Sequence, residues 1–164
     1  MSRMTDQPLD MNQLLRETEN DTCGALVVFD GVVRNHHEGK GVSGMSYTAY
    51  GPMAEKVLAD LEQETLDRFP IAECRIVHRT GDLNIGDSSV LVVVRAAHRG
   101  DAFDGARYAI DTLKVRLPVW KEDFYEDGSQ AYQDGVPLET SAVNETGGQP
   151  DDTTGGKTGK VRGE

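Results

Sequence analysis

Residues 90–125, VLVVVRAAHRGDAFDGARYAIDTLKVRLPVWKEDFY, decide the fold class of this chain. Val90 to Ala97 is almost continuously apolar and reads as a strand buried on both faces, and therefore a central one. Gly100-Asp101 then opens a helix, with Asp101 expected at its N-cap. Phe103, Ala106, Ala109, Ile110 and Leu113 fall on one face of that helix, and Asp104, Arg107, Asp111 and Lys114 on the other. Pro118 ends it, and Val119 to Tyr125 follows as another strand. The two-residue period of a strand puts Lys121 and Asp123 on one face, and Trp120, Glu122 and Phe124 on the opposite one.

Working upstream, Leu9 to Thr18 is a short helix and Gly24 to Val33 a buried strand. Arg34 to Gly44, RNHHEGKGVSG, has three glycines and no apolar period, which predicts a mobile loop. Met45 to Tyr50 alternates as a strand. Pro52 then stands in the first turn of a helix whose stripe is Met53, Val57, Leu58, Leu61 and Leu66, ended after Phe69 by Pro70. Cys74 to Arg79 is a strand, 81–87 is turn-rich, and a short strand is expected near Tyr132. The order α-β-β-α-β-β-α-β predicts an α+β domain with a mixed, largely antiparallel sheet and flanking helices. At 164 residues one domain suffices, placed over 1–143. From Asn144 onward Thr, Gly, Asp and Lys dominate, so 144–164 is expected to be a disordered acidic, glycine-rich tail.

A net charge of −11 argues against non-specific binding to nucleic acid or an anionic membrane, both of which need a basic footprint. No 18-residue apolar run exists to form a transmembrane helix, and Met1 to Asp10 lacks the apolar centre of a secretory signal. Cys23 and Cys74 adjoin apolar runs and have no zinc or redox spacing, which predicts small buried hydrophobes in a reducing, cytoplasmic setting.

Against this acidic background, residues 98–123 gather His98, Arg99, Lys114, Arg116 and Lys121. Arg34 follows the first buried strand, and all these positions lie at element ends, where sites are commonly built. Arginine grips an oxyanion with two prongs and lysine acts as a point charge. A lysine among other cations has its charged form disfavoured and can exchange a proton near neutral pH. Taken singly, Lys114 and Lys121 also read as solvated charges at a helix end and a strand edge. His36 and His37 read as loop residues near a ligand and His78 as structural. No HExxH, phosphate loop, GxSxG elbow or singled-out carboxylate pair is present, so no metal site is expected. The residues alone leave open an enzyme using the lysine pair, a module that only holds a phosphorylated metabolite, and a dimer that only docks a partner.

The chain resembles one family, the large catalytic subunits of molybdopterin synthase (the MoaE family), over about Gly24 to Gly128. The matching blocks are Gly31-Val32-Val33-Arg34-Asn35-His36, Tyr47-Thr48-Ala49-Tyr50 with Met53-Ala54-Glu55-Lys56, and His78-Arg79-Thr80-Gly81-Asp82-Leu83 with Gly86-Asp87. They continue in the same order with His98-Arg99 and Ala102-Phe103, Asp111-Thr112-Leu113-Lys114, and Pro118-Val119-Trp120-Lys121. The resemblance implies an α/β-hammerhead type of fold and a reaction in which cyclic pyranopterin monophosphate receives two dithiolene sulfurs to become molybdopterin. It implies that no cofactor is needed. The sulfur arrives as a thiocarboxylate on the C-terminal glycine of a small ubiquitin-like subunit ending in Gly-Gly, whose tail enters a pocket of the large subunit. It implies further a homodimer of large subunits within a heterotetramer. Carried over position by position, Lys114 and Lys121 are the catalytic lysines, their roles interchangeable at this stage. Arg34, His98 and Arg99 bind the phosphate and pterin, and Val32, Val33, Glu122 and Asp123 complete the substrate-binding set. Glu122 departs from a position often basic in the family and His37 from one often asparagine. Arg116 does not carry over and reads as a surface charge.

Overall fold

The chain runs β1 (Met4–Thr5), α1 (Met11–Glu17), β2 (Ala25–Val32), β3 (His36–His37), β4 (Lys40–Ala49), α2 (Gly51–Arg68), β5 (Glu73–Arg79), β6 (Gly81–Asn84), β7 (Ser88–Ala96), α3 (Arg99–Arg116), β8 (Val119–Tyr125) and β9 (Gln130–Gln133) in a computed structural model that describes residues 2–133. The strands divide between two sheets. One has the order β1-β5-β7-β2, and the other the order β3-β4-β8-β9 with β6 also paired to β4. Among the described residues only the β1–β5 pairing is parallel. This is the expected mixed, largely antiparallel α+β architecture.

The apolar run of β7 is explained by burial on both sides. Val90, Val92, Val94 and Ala96 face α2 and α3, packing with Leu58, Leu61, Ala106, Ala109, Ile110 and Leu113. Leu91 and Val93 face the other way, onto Leu14 of α1 together with Val77 of β5. Helix α3 lies close to this sheet because position 105 is glycine: a Cβ there would stand 3.3–3.4 Å from Ile71 and Val94. Helix α2 has Pro52 in its first turn, as its sequence requires.

Four local expectations are corrected. The segment 34–44 is not a loop: β3 and the start of β4 form a hairpin. Its turn residues Glu38 (φ 47°) and Gly39 (φ 79°) both adopt positive φ, the geometry that matches a tight hairpin to strand twist. Its glycines serve the pairing, since a Cβ on Gly44 would stand 3.0 Å from the Leu83 carbonyl oxygen of β6. Residues 81–84 of the turn-rich segment form β6, paired with Gly44–Tyr47 of β4. Helix α3 starts at Arg99 with His98 at its N-cap, and Asp101 sits inside the first turn, where its charge complements the helix dipole. Cys74 is buried as expected, but Cys23 is only half-buried. The segment Met4–Thr5 shows no strand pattern in the sequence; it is held beside β5 by backbone pairing. The proposed tail, 144–164, lies outside the described residues.

Candidate functional site

A cavity of about 660 Å3 opens between the two sheets, where the end of β2, the start of β7, the last turns of α3, and strands β4 and β8 converge. Arg34, Lys114 and Lys121 all line it, together with His36 and His37 of the β3–β4 hairpin. Three separate elements thus deliver cations to one space. Lys114 comes from the last turn of α3, Lys121 from β8 after the Pro118 break, and Arg34 from just beyond β2.

The two lysines stand in different surroundings. Lys121 Nζ lies 3.0 Å from Asp123 Oδ1, and the Asp123 side chain has no solvent exposure. The two residues project from the same face of β8, as their spacing requires. Lys114 is exposed and has no carboxylate partner among the described residues.

Tyr47, His78 and Ser89 also line the cavity. Tyr47 pairs directly with Lys121 in the β4–β8 ladder, so both side chains leave the same sheet face and both line the cavity. Burial raises the Tyr47 phenol above its ordinary value, an interaction with Ser89 opposes this, and the Asp123 carboxylate adds to the rise. The Tyr47 ring meets His78 edge-on, with centroids 5.0 Å apart. His78 is 3% exposed, and burial pushes its pKa down to about 4. Its Nδ1–H donates to the Arg79 carbonyl oxygen at 2.8 Å, since a carbonyl can only accept. Nε2 is therefore the ring's acceptor. Ser89 donates to the Gly31 carbonyl oxygen at 2.8 Å. Gly31 itself must lack a side chain, because a Cβ would stand 2.6 Å from Val90 Cγ1.

Of the expected substrate-binding residues, Arg34, Val32 and Asp123 join the two lysines at the cavity. Val33 is buried beneath it, in a small cluster with Met45 and Leu83. Glu122 does not line it, because β8 turns alternate side chains away. His98 and Arg99 are exposed and lie elsewhere in this chain. Arg99 begins α3 while Lys114 is in its last turn, which separates them by roughly 22 Å at about 1.5 Å per residue. Arg116 is half-exposed and paired with Glu64, outside the cavity. No role for Tyr47 or Ser89 was legible in the sequence, and His78 read as structural; Tyr47 reaches the cavity through the β4–β8 register and meets His78 of β5 through its ring.

A shallower groove of about 410 Å3 runs between β2 and α3. Val27, Phe103, Ala106 and Arg107 line it, and it shares Phe29, Ile110 and Lys114 with the main cavity. Phe103 is 61% exposed at its edge. Among the described residues no group of three or more His, Cys, Asp or Glu side chains could hold a metal ion, and no helix is long and apolar enough to cross a membrane.

Comparison with known proteins places these features in context. The family model described as MoaE protein matches residues 4–116. Molybdopterin synthase catalytic subunit 1 of Mycobacterium tuberculosis is 38% identical over 128 residues, 78% of this chain and 87% of that protein. The molybdopterin synthase catalytic subunit of Staphylococcus aureus is 41% identical over 131 residues, 79% of this chain and 88% of that protein. The crystal structure of molybdopterin synthase from Staphylococcus aureus superposes with a TM-score of 0.76 at 38% identity, covering 80% of this chain and 96% of that one.

Proposed function

This chain belongs to the MoaE protein family, and on that premise we propose that its cavity is the sulfur-transfer site of a molybdopterin synthase catalytic subunit. The observation that carries the reading is the meeting of Arg34, Lys114 and Lys121 in one cavity that no cysteine lines. The chain's two cysteines are poor sulfur carriers in any case: Cys74 is buried, which pushes its thiol up to about 12, and neither reaches the cavity. On the family resemblance the sulfur comes instead from a second protein, a small ubiquitin-like subunit carrying a C-terminal thiocarboxylate, and the lack of a cysteine at the cavity supports that reading. The acceptor is cyclic pyranopterin monophosphate, and the product is the dithiolene of molybdopterin in molybdenum cofactor biosynthesis.

The different surroundings of the two lysines support different roles for them. Lys121, committed to the buried Asp123 carboxylate, is a fixed positive charge that stabilises negative charge developing as the new carbon–sulfur bond forms. Lys114, uncommitted and at the cavity's edge, moves protons to and from the reacting groups. Arg34 holds the phosphate. The β2–α3 groove, continuous with the cavity through Lys114, receives the extended C-terminal tail of the small subunit. His98 and Arg99 enter the site from a second copy of the chain in a dimer, since within one chain the length of α3 keeps them from it.

Two experiments test this. Purification from cells should bring down a small protein ending in Gly-Gly. With thiocarboxylated partner and cyclic pyranopterin monophosphate, Lys114→Ala should lose about 100-fold or more of the product-forming rate, the scale of a general acid–base contribution. Full molybdopterin synthesis by Lys114→Ala would falsify the assignment.

A further inference from the structure

The β3–β4 hairpin reaches the cavity without a core of its own. Val33 and Val42, each 2% exposed, bracket it. The eight residues between them, Arg34 to Gly41, include no aliphatic side chain, and all are exposed or half-buried. None belongs to a core cluster, and β3 pairs only with β4. Local opening costs little where few apolar contacts are broken. What holds the hairpin down is polar and lies in one place. The Glu126 amide donates to the Gly41 carbonyl oxygen at 3.0 Å, the Glu126 side chain lies against Gly41, and Lys40 Nζ stands 5.2 Å from the Tyr125 ring centroid. At its base the β4–β8 register shifts between Val42 and Gly44, which leaves Ser43 out of the ladder. Such a bulge bends its strand and interrupts pairing. On its inner side the hairpin presents His36 and His37 to the cavity, whereas no hairpin residue lines the β2–α3 groove.

We propose that the β3–β4 hairpin is a lid. It swings about Val33 and the Ser43 bulge, opens to admit the small substrate beside Arg34, and closes with His36 and His37 over it. The inference rests on the sulfur-transfer reading above and adds a moving part to that site. Two reactants then have two ways in: the pterin phosphate under the hairpin, and the partner's tail along the groove. The cavity and the groove share only Phe29, Ile110 and Lys114, so the lid can open and shut while the tail stays seated. Closure keeps water from the thiocarboxylate until the pterin is in place.

The test locks the lid in the full-length chain assembled with its small partner. A Cβ on Gly41 would stand 3.2 Å from Glu126 Cγ, close to the spacing across a disulfide, and Gly41 does not adopt a positive φ. Gly41→Cys combined with Glu126→Cys can therefore form the bond. Oxidation should lower turnover of the pterin phosphate by at least about tenfold, and dithiothreitol should restore it. Neither single variant should respond to the oxidant. Backbone amide exchange in the unmodified protein is the second measurement. Amides of 36–41 should exchange at least about 100-fold faster than those of 46–48, farther along β4. Lys40→Met, which removes the contact with Tyr125, should speed hairpin exchange about two- to fivefold and leave 46–48 unchanged. A cross-linked enzyme, its disulfide verified by mass, that turns over as fast as its reduced form would overturn the proposal. So would a disulfide that does not form in the folded variant, or hairpin amides as protected as those of 46–48. Should the double variant fail to fold, amide exchange carries the test. If neither wild type nor the reduced variant makes molybdopterin, the underlying reading falls, while exchange still decides whether the hairpin opens.

Discussion

Co-expressing Lys114→Ala chains with Arg99→Ala chains asks whether one active site is built from two copies. Arg99 is the first residue of α3 and Lys114 lies in its last turn, roughly 22 Å away at about 1.5 Å per residue. The path along β7 gives the same answer: Ser89 and Val90 border the cavity, and His98 lies eight residues beyond Val90, roughly 25 Å at about 3.3 Å per residue. A single arginine side chain does not bridge that distance. In a two-fold dimer each cavity would then combine Lys114 of one copy with His98 and Arg99 of the other. Lys114→Ala alone should be nearly inactive. Arg99→Ala alone should lose about 10- to 100-fold at low substrate, the worth of a hydrogen bond to a charged group. Mixed dimers contain one cavity with both defects and one with neither, so mixed dimers isolated through two different tags should recover about half the wild-type rate per dimer. Unsorted random pairing gives mixed dimers in about half the population, hence about a quarter of the wild-type rate. Mixed dimers no more active than their parents would refute the shared site.

Three further outcomes follow from the site and its walls. Lys121→Arg should keep most activity, because a fixed cation beside Asp123 survives, whereas Lys114→Arg should be nearly as impaired as Lys114→Ala, because arginine does not give up its proton; steady-state rates with both substrates decide this. Gly31→Ala should lower stability by about 1–3 kcal/mol, since its methyl would overlap Val90 Cγ1, and should raise KM by narrowing the cavity; thermal melting and kinetics measure both. Stability should fall as pH drops from about 6.5 to about 4, because the unfolded chain protonates His78 in that window while the folded chain does not. The loss approaches roughly 3 kcal/mol, and denaturant midpoints should show a shallower pH slope in His78→Phe.

The sequence made the sandwich of β7 between two apolar layers legible because burial on both faces leaves an unmistakable apolar run. It also placed Lys121 and Asp123 on a common face, since strand alternation is local. What it concealed was non-local. The glycines of 39–44 read as a loop because their reason lies in a strand 40 residues away, whose Leu83 carbonyl would meet a Cβ on Gly44. Tyr47 was unreadable for the same reason, as its partnership with Lys121 exists only once β4 and β8 are in register. The cation cluster singled out His98 and Arg99, and the expected helix from Gly100 already set them at the opposite end from Lys114; only the family resemblance joined them to the lysines in one site, which a single chain does not form.

On the proposed reading two anions meet in this cavity, the phosphate of the pterin and the thiocarboxylate of the partner, and an acidic chain of net charge −11 must allow it. Cations at the site therefore serve first to overcome a repulsive surround, and only then to catalyse. That explains why a carboxylate as deeply buried as Asp123 is tolerated there. It is bound to Lys121 at 3.0 Å, so it sets one cation in place without presenting a free negative charge to either anion. Tyr47 and His78, which also line the cavity, are each held in the neutral form. An incoming tail from the β2–α3 groove then arrives at the same side as Lys114, which both spaces share. On that reading the lysine proposed to move protons is the one the sulfur reaches first.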